Sequence, residues 1–482
     1  MTPAQATLID AVRAALGNGA VVTDPFDVAP WTIDWRGRYH GRAAAILAPN
    51  AVDGVSLILG RARELGVALV PQGGNTSMVG GATPPEDGSA LILSLRRMNR
   101  LRAVEPEAGL AIAEAGVILS DLHDAALAGG MRFPLTLGAR GSATIGGLVS
   151  TNAGGTQVLR FGTMRALVAG VEAVLPDGSV HDGLAPLKKD NRGYDLTQLL
   201  IGAEGTLGVV TAATLRLVPA AVDRATGWIG TASPADALAI LRTMEAGSRE
   251  AIESFELVPG EALDLVLKHI PGTRPPLTGR HAWLVLVDYV AGDDHDGARP
   301  ALEDLLNHVL TTGLAQDAVV AANEAQAAAF WRLRDAISEA ERAEGPTMAH
   351  DISVPVDAMP GFMISAAQTV EQAFPGVRAT GFGHLGDGNI HFHVNAPAGA
   401  EPGPWRAAVG EPASRMVYDL VTAAGGSISA EHGIGQMKRD ELARLSSPAR
   451  MTALRAIKAA FDPGELLNPG KLVTLAPGAS PP

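Results

Sequence analysis

Apolar and polar positions recur along this chain with two different periods, and the change from one to the other divides it. Near the N-terminus Leu8, Ile9, Val12, Ala15 and Leu16 fall at helical spacing with Asp10 and Arg13 between them, and Gly17 ends the run. Ala43–Leu47 is a continuous apolar stretch that stops at Ala48-Pro49, the pattern of a buried strand. Val55, Ile58, Leu59, Ala62 and Leu65 form a helical stripe closed by Gly66, and Val67–Val70 returns to strand. Further strands are expected at Val171–Leu175, at Val180 beyond a Pro-Asp-Gly turn, and on both sides of GTLGVV, residues 205–210. From about residue 220 the glycines thin out and amphipathic helices appear. Ser233 caps one that runs through Ala246, and others are expected at Ala301–Leu310, at Asn323–Glu344 and before Phe374. They alternate with strands at Ser254–Val258, Trp283–Val290 and Asp351–Val356. The pattern predicts an α+β fold in three parts: a strand-rich region 1–219, an α+β region 220–424 and a C-terminal segment 425–482, with a frayed tail over Ala476–Pro482.

Composition narrows the partners. A chain of 482 residues is too long for one ordinary core, and the 13-residue excess of acidic over basic side chains comes without a basic tract. Nucleic acid is therefore not expected, because phosphates need clustered Lys and Arg. The absence of cysteine excludes disulfides, thiolate zinc sites and cysteine-ligated iron–sulfur clusters. No apolar run approaches the ~20 residues of a membrane span. The N-terminal helix has neither a basic n-region nor an apolar h-region. A cytoplasmic protein is expected, with peripheral contact at a membrane left open.

Two glycine clusters carry the first chemical signal. PQGGNTSMVGG (Pro71–Gly81) holds four glycines in eleven residues directly after a strand, and such loops bring backbone N–H groups close to phosphate. TLGARGSATIGGLVSTNAGG (Thr136–Gly155) interleaves glycines with Ser142, Thr144, Ser150, Thr151 and Asn152, uncharged donors that leave space for a ligand. Neither the dinucleotide fingerprint GxGxxG nor the P-loop GxxxxGK[ST] occurs, so any phosphate here sits in another cradle.

The second signal is GHLGDGNIHFHV, Gly383–Val394. Asp387-Gly388 reads as a two-residue hairpin loop, which sets His384 opposite His391, with Cβ atoms about 4.5–5.5 Å apart, and puts His393 on the same face. Three histidines on one face suggest a metal site; the plain alternative is a turn whose histidines line up by chance. Glu431 and His432 stand in a Ser/Gly-rich turn before a helix. Two imidazoles and a carboxylate form a common zinc ligand set, although spacing alone does not bring Glu431 to His384. On that set alone a zinc hydrolase is the rival, and it leaves the glycine clusters without a role.

Taken together and in order, PQGGNTSMVGG, GARGSATIGGLVSTNAGG, GYDLTQLLIGAEGTLG, GHLGDGNIHFHV, SISAEHGIG and LNPGK resemble the flavin-dependent D-2-hydroxyacid dehydrogenases of the vanillyl-alcohol-oxidase type, over about residues 30–472. The resemblance implies a two-subdomain, non-Rossmann FAD-binding domain, an α+β substrate cap and a C-terminal segment returning to the FAD domain. Gln72, Gly73, Gly74, Asn75 and Thr76 would cradle the pyrophosphate of a non-covalent FAD. Gly138, Ser142, Thr144, Gly147, Asn152, Glu204, Gly208, Val209 and Asn468 would complete its site, with Lys471 nearby. His384, His391 and Glu431 match the family's metal ligands, usually zinc. His432 matches the catalytic base, and Arg334, Ser338 and His393 match substrate contacts. The implied reaction oxidises a D-2-hydroxyacid, D-2-hydroxyglutarate foremost, with D-lactate or glycolate, or a catalytically silent flavin-binding protein, as alternatives. Electrons would pass to an external acceptor, an electron-transfer flavoprotein or a quinone; room is left for a homodimer. Two positions depart from the hydroxyglutarate pattern: Ala349, followed by His350, stands where that pattern has Lys, and His393 where it has Asn.

Overall fold

The computed structural model describes residues 1–221, 223–291 and 297–475; the tail expected to fray, Ala476–Pro482, lies outside them. The chain divides into two compact units, one of residues 1–155, 162–220 and 431–482, the other of 156–161 and 221–430. No described helix is long and apolar enough to cross a membrane.

In the first unit the expected opening elements form. Pro3–Leu16 is a helix capped by the Thr2 side chain, and Val52–Leu65 is a helix that ends where Gly66 turns to φ 65°, a left-handed value glycine adopts without a Cβ penalty. Ile46–Leu47 and Ala68–Gln72 both pair in parallel with Ala90–Ser94, which lies between them. Leu8, Val12, Val55, Ile58, Leu59, Leu69 and Leu91 make the buried core of this sheet and its helices. A five-stranded antiparallel sheet follows in the order Leu101–Glu105, Leu110–Glu114, Val209–Arg216, Val168–Val174, Val180–Gly183. The strand expected before GTLGVV is instead the helix Leu196–Leu200: the Asp195 side chain accepts from the Gln198 N–H at 3.0 Å, a cap that outweighs the apolar run.

The second unit is built on a seven-stranded antiparallel sheet in the order Asp317–Val320, Asp223–Thr231, Trp283–Ala291, Ile252–Pro259, Arg378–His384, Asn389–Asn395, Thr347–Ser353. Helices Pro234–Ser248, with Ser233 as its cap, and Ala298–Thr311 form as expected. The single helix expected over Asn323–Glu344 is two, Glu324–Asp335 and Ile337–Glu344, joined at Ala336 with ψ near −5°. The six-residue segment Thr156–Phe161 leaves the first unit and packs on this sheet. Ser254 Oγ donates to Thr156 O at 2.9 Å, Arg160 pairs with buried Glu253 at 2.7 Å, and a Cβ on Gly386 would meet Leu159 at 2.7 Å.

Candidate active site

The two glycine clusters meet in the first unit. A Cβ on Gly73 would lie 2.1 Å from Thr144 Oγ1, and one on Gly74 would lie 1.9 Å from Ser142 O, so the loops approach as closely as they do because both positions lack a side chain. Thr144 caps the short helix Ile145–Thr151 through its backbone, and its buried Oγ1 has no hydrogen-bond partner. Asn468 also lies here, at φ 45°. Its Nδ2 donates to Gly81 O and Glu204 O, and its Oδ1 is buried without a partner. The bare Thr144 hydroxyl can donate to a phosphate or carbonyl oxygen and the bare Asn468 Oδ1 can accept from a hydroxyl or N–H, so the pair fits a cofactor that carries both kinds of group, since leaving such atoms bare costs about 1–3 kcal/mol each.

The other residues of the cradle are held by backbone contacts. Gln72 Nε2 donates to Trp31 O and Ala82 O, and Asn75, at φ 54°, donates to Ile33 O. Asn152 ends the Ile145–Thr151 helix at φ 49°, and its Oδ1 accepts from Thr163 Oγ1 and the Arg165 N–H. Gly208 closes the turn into Val209–Arg216, where a Cβ would crowd Leu200 at 3.0 Å. Gly147 lies over Thr144 Oγ1, Gly138 has open space around its Cβ position, and Thr76 and Ser142 complete the two loops.

Glu204 organises the segment that carries Glu431 and His432. Its Oε1 and Oε2 accept from the N–H groups of Ile434 and Gly435, both at 2.7 Å. Gly433 stands at φ 79°, and a Cβ there would come within 2.9 Å of Glu204. Burial pushes the Glu204 carboxyl above the usual range, against the two N–H donors, Lys438 and Lys471. Glu431 and His432 open this segment, one and two residues beyond Ala430, whose N–H bonds to Asp351 O in the second unit.

In the second unit the hairpin differs from its expected register. His384 pairs with Asn389, Gly383 with Ile390 and Phe382 with His391, so the loop is four residues, Leu385–Gly388. The N–H groups of Asp387 and Gly388 both bond to His384 O, and Gly388 takes φ 80° at the end of the loop. A four-residue loop built on such a turn closes the strands as well as a two-residue one. The slip is two residues, so every side chain keeps its face. His384 and His391 remain neighbours, now diagonal, with ring centroids 5.4 Å apart.

A buried acid that the periodicity did not single out holds the first of them. Glu256, in Ile252–Pro259, pairs in register with His384 and has no exposed side-chain surface. Its Oε1 lies 2.5 Å from His384 Nδ1, and its Oε2 accepts from Arg334 Nε at 2.8 Å and Nη2 at 2.7 Å. Burial would raise this carboxyl, but Arg334 and His384 outweigh it and hold it at about 2. Arg334 Nη2 is also 3.3 Å from His384 Nε2. A guanidinium has no acceptor, so Nε2 carries the lone pair and Nδ1–H donates to Glu256. That is the tautomer and the carboxylate support a metal-binding imidazole needs, so the donor chemistry fits a divalent metal.

His393, two residues beyond His391, is treated in the same way: its Nδ1 bonds to the buried carboxylate of Glu341, which Asn395 also approaches at 3.4 Å, while its ring meets Phe382 edge-on. Glu341 lies on the buried stripe of Ile337–Glu344, and Ser338 is half-buried near the start of that helix. Ala349 pairs with His393, but His350 points to the opposite face, bonded to Phe392 O and Ser414 Oγ at 2.8 Å each. It therefore does not replace a cation beside His393. The sequence signal for Glu256 and Glu341 was an acid on an otherwise apolar, buried stripe, which is rare unless the charge is paired.

Two glycine-rich loops with bare buried polar atoms, and a sheet face on which His384 and His393 are held by carboxylates, sit on the fold of vanillyl-alcohol-oxidase-type flavoenzymes. The chain superposes on p-cresol methylhydroxylase with substrate bound at a TM-score of 0.74, with 15% identity over 98% of this chain and 97% of that one. It superposes on 4-ethylphenol oxidase from Gulosibacter chungangensis at 0.69, with 18% identity over 99% and 98%. Residues 43–183 match the FAD binding domain, and residues 221–472 match the FAD linked oxidases, C-terminal domain. The chain is 36% identical to mitochondrial D-2-hydroxyglutarate dehydrogenase of Bos taurus, over 94% of this chain and 81% of that protein. It is 35% identical to D-2-hydroxyglutarate dehydrogenase of Xanthomonas citri, over 93% of each. It belongs to the FAD-dependent D-2-hydroxyacid dehydrogenases.

Proposed function

We propose that the protein oxidises D-2-hydroxyglutarate, or a D-2-hydroxyacid near it in size, to the 2-oxoacid. The observation that carries this is likeness over 94% of the chain to proteins named for that substrate. The residues assigned to FAD are Gln72, Gly73, Gly74, Asn75, Thr76, Gly138, Ser142, Thr144, Gly147, Asn152, Glu204, Gly208, Val209 and Asn468. His384, His391 and Glu431 would hold a divalent metal, with zinc the first choice for two imidazoles and a carboxylate. Bound at these residues, the flavin would supply a hydride acceptor for C2 and the metal would supply Lewis acidity at the hydroxyl oxygen. His432 removes the hydroxyl proton, a task suited to an imidazole near neutrality. Arg334 and Ser338 orient the substrate carboxylate, and His393 meets its far end. Electrons leave to an external electron-transfer flavoprotein or quinone, because a chain without cysteine has no iron–sulfur relay of its own. The setting proposed is cytoplasmic or at a membrane surface, with a homodimer admitted.

Ala349 and His393 favour a second substrate reading, D-lactate or glycolate, because neither position carries a fixed positive charge for a second carboxylate. The test is the visible spectrum of the purified protein before and after anaerobic D-2-hydroxyglutarate, D-lactate or D-malate. Flavin bands that bleach with one of them support the assignment. A colourless protein would sink it, and bands that no D-2-hydroxyacid bleaches mean a silent flavoprotein. His432→Ala is expected to keep bound FAD and to slow its reduction at least 100-fold; reduction near the original rate would show that the base lies elsewhere.

A further inference from the structure

Nothing in the proposed assignment gives Glu256 a role, yet its side chain is fully buried and both of its oxygens are bonded. Three groups converge on one fully buried carboxylate: His384 Nδ1 on Oε1, and Arg334 Nε and Nη2 on Oε2. The strand pairing Glu256↔His384 sets the first contact, and the helix Glu324–Asp335 delivers the second. Each oxygen therefore fixes a different element.

We infer that Glu256 is a positioning residue that holds one assigned metal ligand and one assigned substrate residue to a common point. This rests on the proposed assignment of His384 and Arg334. By accepting the Nδ1 proton of His384, Glu256 keeps the Nε2 lone pair turned away from itself and makes the ring more basic toward a metal. By accepting two N–H groups of Arg334 on one oxygen, it fixes the guanidinium plane, whose Nη2 already sits 3.3 Å from Nε2. A metal held at Nε2 would take the lone pair that Arg334 Nη2 now approaches, leaving Glu256 Oε2 as the acceptor that still holds the guanidinium. Glu256 keeps the guanidinium within reach of a substrate carboxylate while Nε2 is occupied.

The isosteric change E256Q removes the charge and one acceptor oxygen and keeps the volume. It is expected to weaken zinc affinity about 10- to 100-fold, the usual cost of losing an outer-shell carboxylate. Competition against a chromogenic chelator on the FAD-loaded protein reads this directly, without turnover. FAD content and thermal midpoint report on a merely structural role, and both should change little. Arg334→Met tests the second half: it should leave zinc affinity within a few-fold and raise KM for the 2-hydroxyacid at least tenfold. If wild-type protein binds no zinc, the metal assignment fails, and this inference with it. If wild type binds zinc stoichiometrically and E256Q binds it as tightly, only the role of Glu256 is overturned. Should E256Q not fold, E256D, which keeps the charge one methylene short, decides: unaltered zinc affinity and unaltered KM together would refute the inference.

Discussion

Replacing Gly74 by alanine puts a methyl carbon 1.9 Å from the carbonyl oxygen of Ser142. Carbon and oxygen in ordinary contact stand about 3.3 Å apart, so one of the two glycine-rich loops must move by roughly 1.4 Å. The obstacle is backbone, which cannot rotate aside as a side-chain tip can. A Cβ built on neighbouring Gly73 would likewise lie 2.1 Å from Thr144 Oγ1, so there is no slack on that side. Overpacking of this kind costs about 1–3 kcal/mol of stability, and displacements near 1 Å in a binding site cost on the order of 100-fold in function. Gly74→Ala is therefore expected to fold with a lowered thermal midpoint and to purify with most of its FAD missing. Gly141→Ala is the control: it lies in the same cluster, is exposed, and its Cβ would meet nothing within 4 Å. The assay is the ratio of absorbance near 450 nm to protein absorbance, followed by titration with free FAD. If Gly74→Ala carries a full complement of FAD at an unchanged midpoint, the two loops do not form the cofactor cradle.

Two further outcomes are expected. Changing His393 to Asn alone takes the Nδ1 donor from the buried Glu341 carboxylate, leaving Asn395 at 3.4 Å, and should destabilise the protein by about 1–3 kcal/mol. The double change His393→Asn with Glu341→Gln avoids that cost and should alter the kcat/KM ratio of D-2-hydroxyglutarate to D-lactate at least tenfold; an unaltered ratio would remove His393 from the substrate contacts. Lys471 is buried, with Nζ bonded to Pro469 O at 3.3 Å. Burial, aided by Arg439 and opposed by Glu204, lowers its pKa from 10.5 to about 8. Between pH 8 and 10.5 the unfolded chain thus binds more protons than the folded one, and stability should rise through that window, by up to roughly 3 kcal/mol. Lys471→Met should flatten the rise in urea midpoint measured from pH 7 to 10.5, and parallel profiles for the two proteins would contradict the burial of its charge.

Local pattern determined the helices Pro3–Leu16, Val52–Leu65 and Pro234–Ser248, because each combines an apolar stripe with a cap or a terminal glycine that nearest-neighbour sterics enforce. It failed at Leu196–Leu200, where one Asp195 cap turned an apolar run into a helix. The hairpin shows the division most sharply. Asp387-Gly388 marked the turn correctly but not its length, and the two-residue slip left the histidine face intact because strand faces depend only on parity. What the sequence could not contain was the company these residues keep. Glu256 is 128 positions from His384 and becomes its partner only because the strands Ile252–Pro259 and Arg378–His384 lie side by side. Likewise Glu204 reaches the Ile434 and Gly435 N–H groups some 230 residues away. Residue types and short spacings set which atoms are available for chemistry. Tertiary packing decided which buried charges neutralise one another, since that depends on distances between segments that no local periodicity encodes.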